Sequence, residues 1–296
     1  MNATNSATKN HPIGFLYLLP SLSIFLVFWL IPLVMVGGFS FFHFEYGLHP
    51  TWVGVAQYTS LFQSGLFWQS IRVTFTFSIA VVLGGTVISL LFATLLASGL
   101  KGQGIFRSLF FVPYVMPVVA TSAVWLWMYQ PNNGIIDEIL GVFGLNRQIG
   151  WVNTPHLALV SLIVYTVWLS FGFTTLLFMA GMTNIPKELT EAAAVDGANN
   201  WRAFWHVTWP LLSPTTFFVL VVNLINAFQA FTQIYALTRG GPVNGTTTLT
   251  YFIYETAFNY FHFGAASAGA VIFFLLIVTL TGIQFLISRR AVYYGA

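Results

Sequence analysis

Cysteine is absent from this 296-residue chain, and charge is scarce, with Asp, Glu, Lys and Arg together making up 6% of it. The first absence excludes a disulfide framework and a thiolate metal site. The second excludes an ordinary soluble domain, in which about a quarter of the residues are charged. A phosphate-cradling nucleotide loop ends in Gly-Lys-Ser/Thr, but Lys9, Lys101 and Lys187 follow Thr8, Leu100 and Pro186. ATP is therefore not expected to bind this chain in that way. The six histidines form no His-Glu-x-x-His pair, so neither a metal nor a protease site is expected. No carboxylate pair falls within an apolar segment, which leaves no two-carboxylate acid/base site and no proton relay. The chain is expected to catalyse no covalent reaction and to bind no cofactor.

What the chain has is apolar length. Hydrophobic residues make up 57% and aromatics 18%, with a mean hydropathy of +0.80. Six apolar segments, at about 13–42, 71–98, 105–129, 156–182, 206–237 and 263–288, carry no Asp, Glu, Lys or Arg away from their ends. Each is long enough for a crossing, which takes about 20 residues. The predicted fold class is an all-α integral membrane protein of six transmembrane helices. Lys9, Lys101, Arg107, Lys187, Arg202, Arg289 and Arg290 fall on one side of it, and Arg72, Arg147 and Arg239 on the other. The positive-inside rule makes the first side cytoplasmic. Both termini are then inside, as tails 1–12 and 289–296 around a permease domain 13–288. The first segment exceeds a signal-peptide core and lacks a clear cleavage site after it, so it is read as a retained helix. The scattered basic residues argue against nucleic acid.

Pro20, Pro32, Pro113 and Pro117 lie inside these segments and are expected to kink helices rather than break them. The small-residue run Gly264 to Ala270 suits close helix packing. The outer loops, about 43–70, 130–155 and 238–262, contain Trp52, Tyr58, Trp68, Trp151 and Tyr260. Such residues favour the membrane interface, and some are candidates for a docking surface.

Charge gathers in one place, the run from Pro186 to Pro214. It holds Glu188, Glu191 and Asp196, three of only seven acidic residues, beside Lys187 and Arg202. Thr183 or Asn184 is a candidate cap, Pro186 fits a first helical turn, and the two glutamates face the positive helix end. A helix from Lys187 to about Val195 is expected to stop at Asp196-Gly197, where glycine takes the left-handed conformation. Asn199 or Asn200 is expected to start a second short helix through Trp201 to Trp205. The product is a helix-turn-helix under the membrane, with Ala192, Ala193 and Ala194 allowing close approach by a partner.

Glu191-Ala192-Ala193, then Gly197, then Val207, Trp209 and Pro210 resemble the cytoplasmic signature of the membrane permease subunits of ATP-binding-cassette importers. That signature reads Glu-Ala-Ala, three residues, Gly, nine residues, Ile, one residue, Leu-Pro. Val and Trp depart from it but remain apolar. Asp196-Gly197-Ala198 resembles the carbohydrate branch, and so does the outer-loop motif containing Thr238, Gly240, Gly241 and Pro242. It is followed by Thr246 to Thr248, Tyr254-Glu255 and Ala257-Phe258, and is similar to sugar and glycerol-phosphate permeases. The resemblance implies that loop 184–205, between the fourth and fifth spans, is a coupling helix with Glu188, Glu191, Ala192, Ala193, Asp196 and Gly197 at its centre. It implies docking on separate ATPase subunits, two per complex, that hold ATP and Mg. It further implies a second permease, an extracytoplasmic binding protein, a prokaryotic inner-membrane location and alternating access.

Asn223, Asn226, Gln229 and Gln233 recur at three- and four-residue intervals, which on one continuous helix makes a polar stripe. Amides donate to and accept from sugar hydroxyls, but they also hold membrane helices together; both readings stand. The lack of a basic residue inside the membrane favours a neutral sugar over glycerol phosphate. A secondary carrier or channel predicts an intramembrane charge, which this sequence lacks. A membrane scaffold would leave the stripe as packing alone.

Overall fold

The computed structural model describes residues 12–45, 49–97, 102–144 and 148–292. The expected N-terminal tail with Lys9, together with Lys101, Arg147 and residues 293–296, lies outside the described residues. In chain order the elements are α1 (Pro12–Phe25), α2 (Ile31–Phe39), β1 (Phe42–Glu45), β2 (His49–Trp52), α3 (Ala56–Gln63), α4 (Gly65–Ala97), α5 (Gln103–Val115), α6 (Val118–Met128) and α7 (Ile135–Val142). They continue with α8 (Pro155–Thr183), α9 (Lys187–Val195), α10 (Asn200–Ala203), α11 (Trp209–Phe228), α12 (Thr232–Leu237), α13 (Leu249–Tyr254) and α14 (Phe263–Ala291). Helix dominates because lipid offers the backbone no hydrogen-bond partner, so each segment must satisfy its own. Among the described residues the exception is a small antiparallel ribbon with Phe42 opposite Trp52. Its aromatic rings pack together at 5.1 Å.

Among the described residues, five helices are long and apolar enough to cross a membrane: Tyr17–Phe39, Gly65–Ala97, Pro155–Thr183, Asn200–Phe228 and Phe263–Arg289. The sixth candidate is the pair α5 and α6, bent by 99°. Contact order decides how that pair counts. Phe77 and Val81 of α4 share a core with Leu162 and Tyr165 of α8, and Ala93 and Leu96 share one with Phe178 and Met179. The two helices therefore run parallel, and the chain must return the length of the bundle between them. The bent pair makes that return. Gln103 Nε2 donates to the Leu96 carbonyl, and the Phe110 ring lies 5.4 Å from Phe171. Further on, Thr121 Oγ1 and Tyr165 Oη bond at 2.8 Å, and the Tyr129 hydroxyl donates to the Ser161 carbonyl. Six passages result.

The prolines behave in two ways. Pro20 and Pro113 sit inside α1 and α5. Pro32 and Pro210 each lie just beyond a π-helical turn, at Leu26–Leu30 and Phe204–Thr208. The wider turn relieves the clash of the proline ring with the carbonyl four residues back. At Pro117, however, the expected kink is a break. Met116 is extended (φ −69°, ψ 146°), as the residue before a proline prefers. Just past the break the Val118 carbonyl also takes side-chain donors inside the bundle: the Tyr165 hydroxyl and Ser122 Oγ donate to it at 3.0 and 2.7 Å.

α11 runs antiparallel to α8, with Leu212 near Phe178 at one end and Asn223 bonded to Thr174 farther along. α14 runs back along α11, where Phe217 meets Phe285. The bundle thus has two ends. One carries the ribbon, α3, α7, α12 and α13; the other carries α9. The small-residue start of α14 is ordinary packing: a β-carbon on Gly264 would overlap the Phe42 carbonyl, and Ala266, Ser267 and Ala268 are buried.

Candidate functional site

α9 spans the residues predicted for it, Lys187–Val195. Pro186 stands at its N-cap with ψ 129°, while Thr183 and Asn184, expected as caps, instead close α8. Thr183 Oγ1 bonds back to the Ala180 carbonyl. Glu188 lies in the first turn of α9, where its charge complements the exposed N–H groups. The stop is a Schellman turn: Ala198 N–H donates to the Ala193 carbonyl at 2.9 Å and Gly197 N–H to Ala194 at 3.0 Å. Gly197 takes φ +82° and nothing lies within 4 Å of where a β-carbon would stand. Asn199 Oδ1 then accepts the Arg202 N–H at 2.9 Å, which starts α10 as expected. α10 does not end at Trp205; it runs through the π-turn into α11 as one 29-residue helix, Asn200–Phe228.

α9 is solvent-facing along its length. Glu188, Glu191, Ala192, Asp196 and Gly197 are exposed, Ala193 is half-buried, and Val195 is 88% exposed. A cleft of about 290 Å³ opens between α9 and the following helix, lined by Ala193, Asp196, Gly197, Arg202 and His206 among others. Trp205 packs on Trp201, Phe204 and Trp209 with centroids 5.4–5.7 Å apart. A rigid polar helix is thereby joined to the end of a membrane span through an aromatic knot.

The amide stripe is not one stripe. α11 ends at Phe228 with Gln229 as its C-cap, and Gln233 sits on the separate α12. The helical angle carried across residues 229–231 therefore does not hold. Asn223 bonds Thr174 at 3.4 Å, so it belongs to the α8–α11 contact. Asn226 and Gln229 are exposed and make no side-chain hydrogen bond among the described residues. The sequence grouped four residues; the structure keeps Asn226 and Gln229 together at the end of α11, turns Asn223 to α8 and carries Gln233 away on α12.

Thr238, Gly240, Gly241 and Pro242 form a knot held by buried threonines. Thr246 Oγ1 lies 2.7 Å from both Thr238 Oγ1 and the Gly241 carbonyl, and Thr247 Oγ1 donates to the Gly240 carbonyl at 2.9 Å. Gly240 has φ +75°, and a β-carbon there would stand 2.6 Å from Thr247 Oγ1. The Gly241-Pro242 bond is cis. Leu249 N–H donates to Thr74 Oγ1 at 2.8 Å, which pins the loop to α4. Beyond the knot, burial first and Glu255 second raise the Tyr251 phenol above its ordinary pKa.

Sequence reasoning missed Asp137. It is fully buried, and its carboxylate accepts the Trp151 indole N–H at 2.7 Å and the N–H groups of Asn132 and Ile149 at 3.2 Å. Trp151, a candidate for a docking surface, serves instead to hold this outer loop together. The only available signal was a carboxylate fourteen residues ahead of a tryptophan, and it carries no geometry.

The molecule is a multi-pass helical bundle with an exposed polar helix inserted between two membrane-length helices. Residues 85–293 match the family described as binding-protein-dependent transport system inner membrane component, and the chain belongs to it. It is 35% identical over 298 residues to the probable ABC transporter permease protein YesP of Bacillus subtilis, covering 99% of this chain and 96% of that one. The trehalose/maltose transport system permease protein MalF of Thermococcus litoralis is 33% identical, with 94% of each chain covered. The sn-glycerol-3-phosphate permease UgpA of Agrobacterium fabrum is 34% identical over 84% of this chain and 85% of its own. Among solved structures, a bacterial ABC transporter that imports alginate shares the fold, with a TM-score of 0.83 at 23% identity over 94% of this chain and 95% of that one.

Proposed function

We propose that this protein is the sugar-translocating permease subunit of an ATP-driven importer, with α9 as its coupling helix. The observation that carries the reading is mechanical. α9 is an exposed helix closed by a Schellman turn, and the capped turn 196–199 links it directly to the 29-residue helix that contains the fifth span. Force on Glu188, Glu191 or Asp196 therefore reaches α11 through this hydrogen-bonded turn. The α9 end is cytoplasmic, because Arg107, Lys187, Arg202 and Arg289 gather there while Arg72 and Arg239 lie at the other end. Separate ATPase subunits grip α9, supplying ATP and Mg from their own sites. A second permease completes the path, and a binding protein delivers substrate to the end that carries α12 and α13.

ATP and the loaded binding protein each favour one of two states, since a ligand with equal affinity for both shifts nothing. The substrate class is a neutral mono- or oligosaccharide. The named relatives include a trehalose/maltose permease and glycerol-3-phosphate permeases, and no Lys or Arg stands in the middle of a span to meet a phosphate. Reconstitution with the ATPase, second permease and binding protein tests this directly, with ATP hydrolysis scored against a panel of sugars and glycerol 3-phosphate. Stimulation by a neutral sugar is expected. Transport without any ATPase would overturn the reading, and stimulation by glycerol 3-phosphate alone would replace the sugar.

A further inference from the structure

Beyond the end of α11 the chain builds an aromatic surface that neither the coupling helix nor the amides use. Tyr254 stands at its centre, with ring centroids 4.9 Å from Phe231, 5.7 Å from Tyr235 and 5.4 Å from Phe258. The rings come from two short segments, α12 and the α13 helix with its π-turn extension Glu255–Asn259. The surface is held from behind: buried Tyr251 lies face to face with Phe231 at an interplanar angle of 24°, and the Thr250 hydroxyl donates to the Ala230 carbonyl at 2.7 Å. Its outer edge is open, with Tyr235 42% and Phe258 60% exposed.

We infer that this surface is a stacking shelf for a neutral glycoside at the outer mouth of the path; the inference rests on the sugar-importer reading. Rigid aromatic faces offer large contact area with little loss of side-chain freedom, and they match the apolar C–H faces of a pyranose ring. The Tyr235 and Tyr254 hydroxyls donate to and accept from sugar hydroxyls, and the half-exposed Glu255 carboxylate accepts from them. The shelf also lies past Phe228, outside the membrane-length helices, whereas the exposed faces of α1 and α2 carry mainly Leu, Ile, Val, Phe and Trp. The position also suits a sequence of contacts. Exposed Asn226 and Gln229 precede Phe231 by five and two residues, so a sugar leaving the shelf meets free amides next.

The test uses the full reconstituted complex and a panel of neutral di- and trisaccharides, with glycerol 3-phosphate for comparison. Tyr254→Leu removes the ring and is expected to lower uptake of the best sugar about tenfold, the order of one lost aromatic contact. Basal ATP hydrolysis and co-purification of all subunits should not change. Tyr254→Phe keeps the ring and is expected to retain most of the uptake, and Phe258→Leu should fall with Tyr254→Leu. The shelf is refuted if the leucine variants transport normally, or if phenylalanine at 254 fails as badly as leucine. Loss of co-purification in the leucine variants makes the surface a subunit interface instead. Failure of the unmodified complex to import any neutral sugar refutes the functional reading itself.

Discussion

The Phe110 carbonyl occupies the space that a β-carbon on Gly172 would take. At that point the first half of the bent span lies directly on α8, and the obstacle is backbone, which cannot move aside as the tip of a side chain can. Gly172→Ala is therefore expected to separate α5 from α8 and abolish assembled, active transporter. Gly85→Ala in α4, with nothing within 4 Å of its added methyl, should be silent. Membrane content and uptake of the two variants check the contrast; equal behaviour would show that the close approach is not required.

Gly197 poses the opposite case, a free site with a demanding backbone. Its φ of +82° costs an ordinary residue about 1–2 kcal/mol, although there is room for any side chain. Gly197→Val is expected to leave the complex in the membrane and abolish uptake, because the turn that fixes α9 against α10 is lost. Gly197→Asn should keep much of the uptake, since asparagine tolerates this region. Fully coupled transport by the valine variant would sink the proposed role of the turn.

Asp137 accepts three N–H groups in a buried site. In Asp137→Asn, one acceptor oxygen becomes a donor facing donors. The expected cost is about 1–3 kcal/mol, seen as a lower melting temperature of the purified protein. Trp151→Phe should cost less, because it removes one donor and leaves the carboxylate its two backbone partners. Unchanged melting of the asparagine variant would contradict the buried geometry.

Asn226 and Gln229 are free, whereas Asn223 bonds Thr174. Asn226→Ala combined with Gln229→Ala is expected to weaken sugar uptake several-fold while assembly and basal ATP hydrolysis persist. Asn223→Ala should instead loosen the α8–α11 contact. If the double variant loses only assembly, the amides hold a helix interface and do not line the path.

Gln233 shows where reading along the sequence runs out. A helical interval from Gln229 to Gln233 is correct only if the helix continues, and α11 ends at Phe228 despite an unbroken apolar run. Apolar composition registers removal from water, not which neighbour takes the place of the next helical turn. Here α12 turns aside to pack on α6. Pro117 is similar: a proline in an apolar segment signals a distortion, but the 99° bend, and the Tyr165 hydroxyl that meets the Val118 carbonyl beside it, belong to the tertiary structure.

By itself the sequence determined the membrane class, the location of most spans and the α9 turn, since these depend on local quantities: hydropathy, charge placement and the φ freedom of Gly197. Tertiary structure alone decided what depends on distant residues meeting. The parallel run of α4 and α8 made the bent pair a full passage, and Thr74 pinned a loop 175 residues later in the chain. Trp151 became a partner for Asp137, and two short segments brought Tyr235, Tyr254 and Phe258 onto one surface. None of these pairings has a sequence period, because each is set by how the helices pack.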